Sequence, residues 1–241
     1  MCRHFDDPAP ANGPSGLERG LRWAVSMQLD PTIPVAHLVA RRPLSWGVLR
    51  RHGMAGHAGS LIDACASAGK EVPDVIAEIE AAERGVDTAI ASTGVEGLVD
   101  HLDAYHRGLG RELARLGALA RAAVGAAGVE ASRVAALRSE IDLLAEQMAL
   151  HCEKEQWILF PWLRSGRGAT ATAPVQAMEV EHDEAMRRLF ELRRLCLDYL
   201  APPGTGPVVA ELWRGLERLE SDLVRHIHTA NNRLFPLALV G

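Results

Sequence analysis

An all-α fold, an antiparallel up-down four-helix bundle preceded by a small helical domain, is predicted by three features of this 241-residue chain. Apolar residues recur at helical spacing over four long stretches. Glycine and proline clusters separate those stretches, and no strand-like alternation competes. The third feature is a duplication: His151-x3-Glu155-x3-Leu159-Phe160-Pro161 returns as His226-x3-Ala230-x3-Leu234-Phe235-Pro236. Each copy has a lone histidine upstream, His106 lying 45 residues before His151 and His182 lying 44 before His226. That spacing marks a repeated helical hairpin, and two hairpins side by side make a bundle.

The elements follow in order. Residues 1–32 are rich in Pro, Gly and Asp, with one short amphipathic piece from Leu17 to Met27, and are expected to form a flexible extension. Residues 33–90 read as a small helical domain with helices over Val35 to Ala40, Ser45 to Arg51, Ser60 to Ala68 and Pro73 to Arg84. Gly53, Gly56, Gly59 and Gly69 act as stops, Ser60 as an N-cap and Pro73 as a helix start. Residues 91–241 carry the long helices, over Val95 to Val124, Glu130 to Arg164, Pro174 to Leu200 and Gly206 to Leu237. Gly125 and Gly128, Gly166 and Gly168, then Pro202, Pro203 and Gly204 end them, as short antiparallel connections require.

Composition narrows the functional classes. With 48% hydrophobic and 24% charged residues the chain can bury a full core. A net charge of -5, with basic and acidic residues interleaved, argues against a nucleic-acid partner. No apolar run has the length of a spanning helix and the N-terminus lacks a signal-peptide core, so no membrane association and a cytoplasmic location are expected. Cys2, Cys65, Cys152 and Cys196 have neither CxxC spacing nor a disulfide pattern, which suits a reducing compartment.

The chemistry lies in the repeat. Residues four apart share a helix face, so His151 and Glu155 point the same way, as metal ligands on one helix must. His106 aligns with Leu102, Leu109 and Leu113, His151 with Leu144, Met148 and Ile158, His182 with Met178, Met186 and Leu189, and His226 with Leu219, Leu223 and Leu234, so all four histidines are expected to face the core. Four buried imidazoles are costly unless something satisfies them together, and a shared cation with Glu155 as counter-charge does so. Imidazole plus carboxylate without thiolate favours iron over manganese or zinc. Cys152 is rotated off the ligand face. Asp222, four residues before His226, is the auxiliary ligand candidate, or else orients an imidazole. His228 is expected to be exposed, and Glu181 either to line the approach to the centre or to be a solvated helix residue.

The strings AYHRGLGRELARL, HCEKEQWILFP, MEVEHDEA and HIHTANNRLFP resemble the hemerythrin-like half of the repair-of-iron-centres family (YtfE/ScdA type) over residues 33–241. The resemblance implies a ScdA-type N-terminal domain before a di-iron bundle, with His106, His151, His182 and His226 as terminal ligands and Glu155 as a bridging carboxylate. It also implies a role in repairing iron-sulfur proteins damaged by nitric oxide or oxidants. Reversible binding or sensing of O2 or NO, and a metal-free structural or partner-binding bundle, are the alternatives; a homodimer is one arrangement the chain allows. Two departures qualify it. The family's second bridging glutamate is Ala230 here, leaving four nitrogens and two oxygens, so that one position is expected to fill preferentially. In HGMAGHAGSLIDAC, His57 and Ala58 stand where the family has a vicinal cysteine pair, which removes thiol chemistry from that loop and leaves His57 as a substitute ligand or an inert residue.

Overall fold

The computed structural model describes residues 29–90, 94–126, 131–200 and 203–240, so the amphipathic piece Leu17 to Met27 lies outside the described residues. Four leading helices, α1 (Val35–Arg41), α2 (Ser45–Arg51), α3 (Leu61–Ala68) and α4 (Val72–Ile90), precede the long ones. The chain is already tied down at Leu29, which is buried, and Ile62 donates to the Pro31 carbonyl at 2.9 Å. Ser60 caps α3 as its sequence position predicts: its hydroxyl accepts from the Asp63 N–H, and the Asp63 carboxylate accepts from the Ser60 N–H.

The long helices are α5 (Val95–Ala126), α6 (Ala131–Lys154), α8 (Thr172–Leu195) and α9 (Pro207–Thr229). Short helices α7 (Phe160–Arg164) and α10 (Phe235–Val240) extend α6 and α9. Helix α5 packs on α6 and α9, and α8 packs on the same two, closing a four-sided bundle. Direction follows from two apolar clusters that flank the histidines. On α5 and α8 the chain passes from the smaller cluster (Leu102, Met178) through His106 or His182 to the larger (Leu109, Met186); on α6 and α9 it passes from the larger (Met148, Leu223) through His151 or His226 to the smaller (Leu159, Ala230). Alternate helices therefore run in opposite senses, and the four histidines form one polar layer between two greasy ones.

Each motif contains a local departure from α-helix that periodicity does not reveal. Glu155–Leu159 and Ala230–Leu234 are π turns, at the same place in the two repeats. The Phe160 N–H bonds to the Glu155 carbonyl and the Phe235 N–H to that of Ala230, five residues back. Pro161 and Pro236 come one residue later. A proline ring collides with the carbonyl four residues before it and offers no N–H. Widening the turn moves that carbonyl aside without ending the helix.

Helix α8 stops at Leu195 and not at Leu200, because Leu197, Asp198 and Tyr199 take φ of 52°, 54° and 63°, the left-handed region that costs a side chain about 1–2 kcal/mol per residue. The turn carries Tyr199 over the Arg193 guanidinium, 4.5 Å from ring centroid to charge, and its hydroxyl donates to Glu220 at 2.9 Å. Glu220 also pairs with Arg193 through two hydrogen bonds and accepts from Trp46 Nε1 at 3.0 Å. Trp46 belongs to α2 and lies 4.2 Å, centroid to centroid, from Phe190 of α8. The leading helices and the bundle thus share one continuous core.

At the other end, Gly166 (φ +73°) terminates α7 and Gly168 sits against α10. A Cβ at position 168 would lie 1.9 Å from the Ala238 carbonyl oxygen, a backbone atom that cannot rotate away. Gly168→Ala is therefore expected to displace α10 and cost about 1–3 kcal/mol, read as a lower denaturant midpoint with unchanged slope.

Candidate metal centre

The polar layer is built from one side chain per helix plus one carboxylate. His106 on α5, His151 at the end of α6, His182 on α8 and His226 near the end of α9 are all buried, and Glu155, at the first residue of the π turn, is fully so. Glu155 Oε2 lies 3.2 Å from His106 Nε2, 3.6 Å from His151 Nε2 and 4.0 Å from His226 Nε2. One donor atom each from His151, Glu155, His182 and His226 falls within 4.8 Å of every other. The repeat is visible in the packing: Phe160 stacks on His106 (5.6 Å, 8° between planes) and Phe235 on His182 (6.2 Å, 12°), each the histidine of its own half. Tyr105 stacks on His226 at 4.9 Å.

The outer ring nitrogens fix tautomers. His151 Nδ1 is 3.0 Å from Glu181 Oε2, a carboxylate oxygen that only accepts, so Nδ1 carries the proton. Lys154 holds the other Glu181 oxygen. His182 Nδ1 is 2.7 Å from Asn231 Oδ1 and donates to it. In their neutral forms both rings therefore turn Nε2 lone pairs inward, and those two atoms are 3.1 Å apart. Two lone pairs held that close repel unless a proton or a metal ion lies between them. Both nitrogens of His106, both of His226 and both oxygens of Glu155 are also buried without a hydrogen-bond partner among the described residues. Native interiors leave few such groups, and a cation would take up the Glu155 carboxylate and one nitrogen of each ring together.

Electrostatics point the same way. Burial works against ionising Glu155, but the His106 and His151 imidazoles and the positive potential of His151 and His226 outweigh it and hold the carboxyl well below its usual range. His151 is opposed by burial yet raised by Glu155 and Glu181. Burial, then repulsion from His151, brings His182 down to about 4, and burial leaves His226 well below an ordinary histidine.

These shifts set a pH window for the metal-free protein. His182 and His226 bind protons less readily folded than unfolded, so acidification from about pH 6.5 towards 4 favours the unfolded chain. His151 acts in the opposite sense, its contribution being complete below about 6.5 and lost as pH rises through its folded value. The change due to His151 lies above about pH 6.5 and does not offset this, so a net loss is expected between pH 7 and 4, on the order of 3 kcal/mol from His182 alone. Equilibrium denaturation of the metal-free protein at the two pH values measures it; equal stability would count against neutral, buried rings.

The remaining site candidates fall elsewhere. Asp222 does not reach the centre: its side chain is 52% exposed and pairs with Arg225 on the outer face of α9. His228 is not exposed as its angle from His226 suggests, but buried, with Nε2 3.2 Å from Asp87 Oδ1 of α4; the leading helices cover that side of α9. Glu181, ambiguous in the sequence, is the acceptor for His151. Asn231 carried no signal at α-helical spacing, and only the widened turn brings it to His182. Cys152 is half-buried, its thiol pushed up by burial to about 12. His57 Nδ1 accepts from the Gly59 N–H at 3.0 Å and Nε2 faces Ser67 Oγ at 3.4 Å, while His52 pairs with Glu78, so the two histidines have separate partners.

The five layer residues lie within a segment that matches a known family. Residues 97–238 match the family described as Hemerythrin HHE cation binding domain. Over 105 residues the chain is 37% identical to the iron-sulfur cluster repair protein YtfE of Dickeya chrysanthemi (strain Ech1591) and 36% to the protein of that name from Yersinia pestis (strain Pestoides F). Each alignment covers 44% of this chain and 48% of the relative, so the chain spans about half the length of the curated relatives it matches. Among the described residues no helix is long and apolar enough to cross a membrane. With all five donors inside a matched segment that takes in more than half of its length, the chain belongs to the hemerythrin HHE cation binding domain family.

Proposed function

We propose that this protein is a cytoplasmic non-haem iron protein that acts in the repair of iron-sulfur clusters damaged by nitric oxide or oxidants. The observation that carries the metal reading is the pair of inward Nε2 atoms of His151 and His182, 3.1 Å apart with both Nδ1 positions already donating outward. The cluster-repair reading is supported by the names of the relatives. Iron would be held among His106, His151, Glu155, His182 and His226, a donor set of imidazole and carboxylate that suits it. When bound, it supplies redox chemistry and coordination positions open to a small ligand. Glu181 and Asn231 hold the His151 and His182 rings in the tautomer that ligation needs. Phe160 and Phe235 wall the layer against water. In this reading residues 33–90 form the ScdA-type domain, without the thiol pair that His57 and Ala58 replace.

Anaerobic reconstitution with ferrous iron, desalting and metal analysis test the proposal. Iron retained in stoichiometric amount supports it, and near-zero iron overturns it. A second reading, reversible binding of O2 or NO without repair, is favoured by Ala230, which offers a methyl group where a ligand would otherwise stand. Restored activity of a damaged cluster enzyme supports repair; an absorption change with NO and no restoration supports the second reading.

A further inference from the structure

We infer that the π turn Ala230–Leu234 couples the leading helices to the metal layer, with Asn232 and Asp87 acting through Asn231 as positioning residues for His182. The inference rests on the metal-binding reading above and adds what sets the strength of that binding from outside the layer.

Neighbouring residues of this turn face two ways. Asn231 Oδ1 accepts from His182 Nδ1 at 2.7 Å and so holds that ring with Nε2 turned inward. The next residue, Asn232, donates through Nδ2 to the Arg41 carbonyl at 3.0 Å. Arg41 is the last residue of α1, where the carbonyls have run out of helical N–H partners, so the Asn232 amide caps that helix. One residue further, Arg233 Nε lies 3.5 Å from Asp87 Oδ1 of α4, the oxygen that also meets His228 Nε2 at 3.2 Å. Arg42 donates from Nε to Glu83 at 2.7 Å, one helical turn before Asp87, so the end of α1 and this face of α4 form a single edge against the turn.

The first repeat supplies an internal comparison. In its π turn, Glu155–Leu159, the counterparts of Asn232 and Arg233 are Trp157 and Ile158, which are 79% and 56% exposed. Ile158, which α-helical spacing places on the core face with His151, is turned out to solvent by the widened turn. The counterpart of Asn231 is Gln156, which donates to Asp103 of α5 at 2.6 Å and not to a histidine. A π turn therefore forms at this place in the motif without the leading helices. What their contacts add in the second repeat is a fixed position for a turn that holds a ligand ring.

Relaxation of this turn towards α-helical spacing would rotate Asn231 away from His182, whose ring would lose the bond that fixes its tautomer. Asn232 and Arg233, held by α1 and α4, oppose that relaxation. The grip of the layer on its metal thus depends on the seat of the leading helices, and bound metal tightens that seat by the same factor.

The test titrates the full chain with cobalt(II), a spectroscopically visible stand-in for ferrous iron, in competition with a chelator of known affinity. Asn232→Ala is expected to weaken binding about 2- to 30-fold, the range for changes along a coupled network, and to alter the visible cobalt spectrum. The same substitution in an Asn231→Ala chain is expected to do neither, because the link to His182 is already cut. An unchanged affinity for Asn232→Ala overturns the inference and leaves the metal-binding reading intact. An equal loss in both backgrounds also overturns it, since Asn232 would then act on stability alone. A wild-type chain that takes up no cobalt overturns both readings. Should Asn232→Ala not fold, Asp87→Asn, which keeps the shape of the side chain while weakening its hold on Arg233, goes through the same cycle with the same outcomes.

Discussion

Glu155→Gln is expected to lower metal affinity by at least about 10- to 100-fold while leaving the helical content unchanged, since even changes to groups that only orient a ligand have that effect. Glutamine keeps the shape of the side chain at the head of the π turn, so the fully buried space stays filled. What is removed is the charge and one acceptor oxygen at the point nearest His106, His151 and His226. A divalent ion would then sit among neutral imidazoles with no buried counter-charge, which a low-dielectric interior tolerates poorly. Competition against a chelator of known affinity measures the change. An unaltered dissociation constant would mean that Glu155 is not a ligand, and the set of donors would have to be redrawn.

The largest loss of stability is expected at a site distant from the metal layer. Glu220→Ala leaves the buried Arg193 guanidinium without its carboxylate and removes the acceptor for Trp46 Nε1 and Tyr199 Oη at once. Breaking a buried pair by deleting one partner costs about 3–5 kcal/mol, because the other charge stays behind. For a chain of this size that corresponds to a melting temperature lower by about 6–20 °C. Arg193 Nη1 has no hydrogen bond, and the one further carboxylate near it among the described residues, Asp198, is exposed and 3.6 Å away, too loose to replace Glu220. The left-handed turn over Leu197–Tyr199 is held in place by the same contacts and should relax with them. Thermal melts with and without metal distinguish the effect from one at the centre: the deficit should persist in both.

The parts of this architecture that periodic pattern encodes could be read before any coordinates. Leu102, His106, Leu109 and Leu113 share a stripe because side chains three and four apart share a face, and the same rule locates His151 with Glu155 and His226 with Ala230. What escaped was whatever depends on breaking that period or on a neighbour from far along the chain. The two π turns shift the angle of everything after them, so Asn231 could not be assigned to His182 by counting 100° per residue. The only trace in the text is the proline that follows each motif. His228 looked solvent-facing within its own helix and is covered by Asp87, 141 residues earlier. Asp222 passes the counting rule yet turns outward to Arg225, because the step of four residues fixes a face only to within the width of a side chain. Glu181 was legible as a neighbour of His182, but its use lies across the helix pair, on His151.

Trp46 reaching across to Phe190 and Glu220 has a practical corollary for dissecting the molecule. A fragment starting at Val95 would bare the aromatic ring of Phe190, deprive Glu220 of the indole N–H and strip His228 of Asp87. That would open an oily notch with an ill-matched acid at its rim, the kind of surface that drives self-association. The leading helices thus serve as a stopper for the cylinder behind them, and the shortest piece that should behave well in a test tube is the one that keeps them.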